Sequence, residues 1–465
     1  MPSVNGPQTR RVRLGVTRAA FSLALGLITA TPLLAGTFYV NPTGNDSNSG
    51  SAAAPWQTVA KANAALNPGD VVMISPGNYS GMIRPAKNGL PDARITYIGN
   101  LGDPTSVQVS DDVMLDKSYI TVKGVSSLGA ADFYYSNESS KAVGDSIAWS
   151  RFALGGSYEG AKHCIITHCS IHGPIGFVMN NYNTGPPGIC NSEFDTLRAN
   201  TIDLGVITYK GFILRGFAQN CLVDSNTISG FFAVANGGDL QGRHIYNSYH
   251  NTFRDNSWTF EADGALSGGQ FVAFSLRDSS SYNLFERDSY YLGVSSGFPI
   301  GGRFVVPGNA SWVGRVIGNR WSGCTFKLTG EIANLDNLNG AIIENCVFAS
   351  SRSVPVHLIG TVQNTTIRNC TFYSTTDVAF RVEGDIRLGG NDIHSNIFMV
   401  DSVGPCFSKR CALFHGYASG FTEDNNLFFS KHVASGVNGA GQSLFWSYSY
   451  CSAPGPGTPW ATATG

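Results

Sequence analysis

Ile343-Glu344-Asn345-Cys346-Val347-Phe348 is followed at residue 367 by Ile367-Arg368-Asn369-Cys370-Thr371-Phe372. Both read apolar-x-x-Cys-x-Phe, and they lie 24 residues apart. Such self-similarity is the mark of a repeat architecture. With Asn, Cys or Asp at the fourth position the unit recurs at Ile166/Cys169/Ile171, Leu197/Asn200/Ile202, Val223/Asn226/Ile228, Phe285/Asp288/Tyr290, Trp321/Cys324/Phe326 and Ile393/Asn396/Phe398. Copies with a polar first residue are Ser248/Asn251/Phe253 and Thr422/Asn425/Leu427.

The steps between copies run from 22 to 37 residues. Helical repeats hold their length tightly, because a helix pair has a fixed size. Here a short unit is constant while the intervals stretch. The unit alternates apolar and polar and ends in a β-branched or aromatic residue, as a strand does. Gly, Asn and Ser fill the intervals, as turns require. These features predict an all-β chain: a single-stranded right-handed parallel β-helix of about 10 to 13 coils, each pairing with its neighbours at about 4.8 Å. An inward fourth position would then stack Asn200, Asn226 and Asn251, so that each amide satisfies the next and the cost of burying it is met. Cys324, Cys346 and Cys370 would continue that column as small apolar groups.

The chain has 465 residues, 14% charged, with a net charge of -1. No global field draws it to nucleic acid or to an acidic membrane surface. Residues 1–36 read as a secretory signal: Arg10, Arg11, Arg13 and Arg18 precede an apolar run from Ala19 to Ala35. That run is short for a bilayer, and no later stretch is apolar enough to insert stably. A secreted protein, extracellular or periplasmic, is expected. Four of the ten cysteines fall on the ladder, and Cys406 and Cys411 could close a short loop. The solenoid is expected over 37–450, with a cap over 37–80, and 451–465 as a flexible tail rich in Pro, Gly and Thr.

The cap contains the one convincing helix. Pro55 to Leu66 carries Val59, Ala62, Ala65 and Leu66 on one stripe, and Pro68-Gly69 ends it. The segments FYVNPTGNDSNSG (38–50), PWQTVAKANAALNPGDVVMISPGNY (55–79) and RITYIGN (94–100) resemble the opening of secreted β-helix proteins of the pectate-lyase-like superfamily. In that superfamily a short helix covers the first coil, which would otherwise expose strand edges and core. The fold hosts lyases, hydrolases, epimerases and non-catalytic adhesins, so function must be argued from the site. The intervals Ser126–Arg151 and Tyr182–Asn191 are expected as loops projecting from one face.

Ile207-Thr208-Tyr209-Lys210 and Phe274-Ser275-Leu276-Arg277 are similar to the lysine and arginine segments of the alginate and chondroitin lyases of this class. Asp278 and Ser279 stand where those enzymes have histidine and glycine. The paired aspartates of polygalacturonase-type hydrolases are absent. Counting back from the ladder places Arg215, Arg243 and Arg277 in one stripe, with Lys210 and His244 beside it. Such a stripe would bind an acidic, extended polymer. In β-elimination a cation neutralises the uronate carboxylate, a base takes the proton from the adjacent carbon, and an acid protonates the leaving oxygen. The corresponding roles are Lys210 as base, Arg277 as clamp and Tyr209 or His244 as acid, with Arg215, Arg243 and Trp258 binding substrate. Asp239, Asp224 and Asp263, near Asp255 and Glu261, form a candidate calcium set, since hard oxygen ligands suit that ion. No cofactor is required by the chemistry; calcium is optional. The reading is a secreted, monomeric enzyme on an acidic polysaccharide, a lyase by preference. A non-catalytic carbohydrate-binding protein and a glycoside hydrolase are the alternatives.

Overall fold

The computed structural model describes residues 35–448, apart from 138–139, 179–191, 209, 233–239, 263–270, 278–279, 295–303, 306–315, 329–333, 337, 352–355, 360–361, 376–378, 384–388, 402–411, 416–420 and 431–444. The expected signal (1–36, save its last two residues), the tail and Cys406/Cys411 lie outside the described residues.

The chain winds as a right-handed parallel β-helix. Among the described residues, fifteen strands, from Thr37–Val40 to Phe421–Asp424, form a first sheet. Fourteen, from Gly77–Tyr79 to Leu427–Ser430, form a second. A third face carries a nine-stranded sheet reaching Phe304–Val305 and, further along the chain, a five-stranded one from Asn334–Asp336 to Phe445–Tyr448. Pairing is parallel and in register from coil to coil, so like positions stack. Val223 faces Phe253, Phe253 faces Phe285, and Phe285 faces Trp321. All four side chains are buried, with the Phe253, Phe285 and Trp321 rings stacked at 5.1 and 5.2 Å. Trp258, Tyr290, Phe326, Phe348, Phe372 and Phe398 form a parallel column on the second sheet.

The repeat unit is one corner of the coil. In Val223-Asp224-Ser225-Asn226-Thr227-Ile228, Val223 ends inward in the first sheet and Ile228 inward in the second. Ser225 between them is left-handed, at φ 57°, and turns the chain. The same turn falls on His168, Ala199, Asp255, Arg287, Asn345, Asn369, Ser395 and Asn425. The residue after it points inward. Asn200 Nδ2 donates to Asn226 Oδ1 at 3.0 Å, and Asn226 Nδ2 to Asn256 Oδ1 at 3.0 Å. Asn256 Nδ2 donates in turn to Asp288 Oδ1 at 3.0 Å. Each amide also donates to a main-chain carbonyl of the coil below, as Asn226 does to Leu197 at 2.8 Å.

Three expectations are corrected by the structure. Asn251 is not in that column: Asn256 is. Asn251 belongs to a second ladder at the corner that enters the first sheet, where it binds Asn283 at 3.1 Å and Asn283 binds Asn319 at 3.1 Å. Both corners end in Asn-x-apolar, so the sequence pattern merged them. Likewise Asn426, not Asn425, carries the last described rung, to Asn396 at 3.1 Å. The interval 126–151 is not a loop but a coil, with strands Ser126–Ser127, Ala131–Asn137, Ser140–Lys141 and Ser146–Ala148. Its serines hid the alternation.

The expected helix runs Val59–Ala65, shorter than the Pro55–Leu66 stretch. Thr58 Oγ1 accepts from Lys61 N at 3.1 Å as its N-cap. Asp46 ties the approach by accepting from Gln57 N, Thr58 N and Thr58 Oγ1. Val59, Ala62 and Leu66 are buried over the first coil. Cys164, Cys169, Cys221, Cys324, Cys346 and Cys370 are free and buried.

Candidate functional site

The outer face of the third sheet carries Asp132, Ser157 and Glu159 toward its lower end and Arg215, His244 and Tyr246 further up. Its strands Ala131–Asn137, Gly156–Glu159, Ile175–Val178, Lys210–Arg215, Leu240–Tyr246 and Phe271–Arg277 pair in sequence. Alternation sends Phe133, Tyr158, Leu214, Ile245 and Leu276 inward, and all five are buried. The residues between them form two further columns. One runs Asp132, Ser157, Gly176, Ile213, His244, Ser275. The other runs Tyr134, Glu159, Val178, Arg215, Tyr246, Arg277.

Near the lower end, Ser157 Oγ donates to Asp132 Oδ1 at 2.8 Å. Burial pushes the Asp132 carboxyl up to about 6, with Asp112 and Glu159 adding like charge and the Ser157 hydrogen bond opposing. Burial also raises Glu159, against the nearby Arg215. Asp132 and Glu159 sit diagonally across adjacent strands, a spacing of about 7–8 Å between such positions. Further up, the His244 and Tyr246 rings stack at 5.8 Å with 20° between planes. Tyr246 and Arg215 are partly exposed, whereas His244 and Ser275 are buried.

Of the residues predicted for the site, Arg215 and Arg277 share one column, with Tyr246 between them and His244 two residues away. Lys210 does not join them. It pairs with Gln241, and Gln241 with Val272, which puts it two coils and five residues from Arg277's position. That is roughly 10 Å across the strands and 16 Å along them. Arg243 is a correction: it stands opposite Phe212 and Phe274 and is fully buried inside the solenoid. Counting along the chain missed this because Arg243 lies three residues from the column of Arg215, and an odd offset reverses the face. Trp258 is likewise fully buried, stacked against Tyr290 at 6.3 Å, and presents no surface to a sugar. Asp224 is not a calcium ligand. It accepts from Arg198 Nε at 2.7 Å and from Arg254 Nε and Nη2 at 3.1 and 3.2 Å, which occupies both oxygens. Those arginines hold its carboxyl below the usual range despite partial burial. Tyr209, Asp239 and Asp263 lie outside the described residues. Among the described residues no group of three or more His, Cys, Asp or Glu could hold a metal ion. Also among the described residues, no helix is long and apolar enough to cross a membrane.

Sequence reasoning missed Asp132, Glu159 and Tyr246. The segment around Asp132 reads as a loop in the sequence, and Tyr246 carries no motif of its own. Alternation within Leu240–Tyr246, counted from buried Ile245, would have found Tyr246.

Fold and surface together define the chain as a right-handed parallel β-helix whose third sheet carries both polar and apolar residues on its outer face. Residues 42–85 match the family model described as "Protein of unknown function (DUF1565)". No curated protein matches the chain. Among solved structures, it is similar to a mannuronic acid specific polysaccharide family 6 lyase from human gut microbiota. There the identity is 10% and the TM-score 0.40, over 90% of this chain and 91% of that one. A family 6 alginate lyase is 13% identical at a TM-score of 0.41, over 79% of this chain and 52% of that one. The GH136 lacto-N-biosidase of Eubacterium ramulus is 11% identical at a TM-score of 0.31, over 84% and 68%.

Proposed function

We propose that this protein is a secreted, monomeric enzyme that cleaves an acidic polysaccharide by β-elimination on the outer face of its third sheet. One observation carries the reading: Tyr246 lies between the positions of Arg215 and Arg277 in a single column, with the His244 ring stacked on it. A polyuronate chain lying along the solenoid would meet two guanidinium-bearing positions with an ionisable ring between them. Arginine favours such carboxylates through bidentate hydrogen bonds. With its carboxylate neutralised, the uronate loses the proton on the adjacent carbon to a base. The bond from the next carbon to the bridging oxygen then breaks, and an acid protonates that oxygen. The products are an unsaturated uronate end and a new hydroxyl end, with no net oxidation. Tyr246 takes the place of Lys210 as base and of Tyr209 or His244 as acid, returning to the leaving oxygen the proton it removes, and His244 stacked beside it orients the ring.

A second reading has its own support. Asp132 and Glu159, two raised carboxyls on diagonal positions, are a pair of the kind that glycoside hydrolases use as acid and base. The two readings separate cleanly in a panel of polyuronates and neutral glycans. Elimination yields products absorbing in the ultraviolet, lost in Y246F and R215A. Hydrolysis yields reducing ends without that absorbance, lost in D132N and E159Q. Retention on a glycan array with neither product would leave a binding protein and overturn both.

A further inference from the structure

The second ladder contains two aspartates, whereas its later rungs Asn251, Asn283 and Asn319, which follow Cys221, are asparagines. Asp195 Oδ1 accepts from Cys164 N at 2.8 Å, and Asp145 Oδ1 accepts from Ile120 N at 2.6 Å. Three later rungs show what the other arm of such a side chain does. Asn251 Nδ2 donates to Ala218 O at 3.0 Å, Asn283 Nδ2 to Ser248 O at 3.0 Å, and Asn319 Nδ2 to Ser280 O at 2.9 Å. Each of these carbonyls lies three residues before the rung below. Counted the same way, the carbonyl for Asp195 is that of Ala161. The parallel extends to the main chain: Ala161 O accepts from Glu193 N at 3.0 Å, as Ala218 O does from Tyr249 N at 3.1 Å.

Asp195 Oδ2 and Asp145 Oδ2 are buried, and neither receives a hydrogen bond. An ionised carboxylate in that place would aim a lone pair at a carbonyl and leave a buried charge unmet, which costs several kcal/mol. The charged and titratable groups facing Asp195 offer no relief. Lys162 is held by Glu193 at 3.2 Å, Glu193 adds like charge, and Tyr158, Cys164 and Cys221 are buried thiols or phenol. Around Asp145 the facing groups are Arg94, Asp116, Asp195 and Cys164. Arg94 is engaged by Thr121 Oγ1, Gly144 O and Ile120 O. Asp288 on the first ladder is the contrast. Its Oδ1 accepts from Asn256, and its Oδ2 accepts from Trp258 Nε1 at 3.2 Å and Tyr290 Oη at 2.8 Å. Donors alone surround it.

We propose that Asp195 and Asp145 are built into the solenoid as neutral carboxylic acids, each donating its Oδ2 proton where the ladder asparagines donate an amide proton. Folding therefore takes up protons. Unfolded aspartate titrates near ~3.9. Because the folded groups hold their protons to higher pH, their contribution is complete below that value and is lost as pH rises toward the folded titration. The coils around Gly156–Glu159 loosen in alkali.

The test compares thermal unfolding of the wild type, D195N and D145N at pH 4 and pH 8. An asparagine keeps the donor at every pH. The folded-to-unfolded ratio of D195N relative to wild type should rise at least about tenfold between the two pH values, one pKa unit being tenfold. D145N should behave alike. An infrared difference spectrum, wild type minus D195N at neutral pH, should show the carbonyl stretch of a protonated carboxyl. A carboxylate band in its place, or a stability difference that does not change with pH, overturns the proposal. If neither variant folds, carbon-13 spectra of aspartate-labelled wild type decide it, since carboxyl signals must stay at their protonated positions through neutral pH.

Discussion

Arg243 Nη1 donates to Tyr290 Oη at 2.7 Å in the interior of the solenoid, and Tyr290 Oη donates in turn to Asp288 Oδ2 at 2.8 Å. The guanidinium carbon lies 4.8 to 5.4 Å from the ring centroids of Phe285, Tyr290, Phe253, Trp258 and Phe274. Cation–π attraction to five rings and the relay to Asp288 offset the cost of burying the charge. R243A should cost about 3–5 kcal/mol, as breaking a buried pair does. R243M, which fills the space but leaves Asp288 without its cation, should cost less and should lose part of that cost as pH falls toward 6, because Asp288, already raised to about 6 with Arg243 beside it, holds its proton to higher pH once that cation is gone. Denaturant titration followed by tryptophan fluorescence measures both.

The first ladder makes its own prediction. Asn256 accepts from Asn226 N and Nδ2, each at 3.0 Å, and donates to Val223 O at 2.8 Å and Asp288 Oδ1 at 3.0 Å. N256L removes all four and leaves partners stranded above and below, at about 1–3 kcal/mol for each buried group left unmet. N251L should behave similarly, through the other ladder. By contrast N425S, at a turn outside both columns, should be tolerated. Urea midpoints of the three variants rank the sites.

Outside the first sheet, Arg198, Asp224 and Arg254 form a three-layer sandwich, as Arg320, Glu344 and Arg368 do. Asp224 and Glu344 have carboxyls held below their usual range. A depressed folded pKa contributes stability above the unfolded value, lost as pH falls through the folded one. The wild type should therefore lose stability as pH drops below about 4, and D224N and E344Q should each flatten that limb. Melting temperatures between pH 2 and 5, at low and high salt, check the effect. Salt should shrink it, because the arginines are exposed on their outer sides.

At the corner entering the first sheet, Gly318 is left-handed at φ +64°, and a Cβ there would lie 2.6 Å from two carbons of the Tyr282 ring. G318A should destabilise by about 1–2 kcal/mol from backbone strain, with a further penalty from the ring. In a Y282S background the strain remains and the clash goes, so G318A should cost less there. A double-mutant cycle reads the difference directly.

Much of this was legible in the chain. A six-residue unit with an inward polar fourth position specifies a stacked coil, because side-chain alternation and the turn are local properties. Asn200, Asn226, Asp288, Cys346 and Cys370 announce one column without reference to any partner. The helix at Val59–Ala65 was equally plain from its stripe and its Pro-Gly stop. Tertiary structure alone decided which corner Asn251 occupies, that Arg243 faces inward while His244 and Tyr246 do not, and that Asp132 and Glu159 lie near one another. The reason is physical. Between corners the intervals vary in length, so the inward and outward faces are set anew on every strand by pairing with the coil below. A sequence offset counted across such an interval carries no information about the face, and the candidate site is assembled entirely across them.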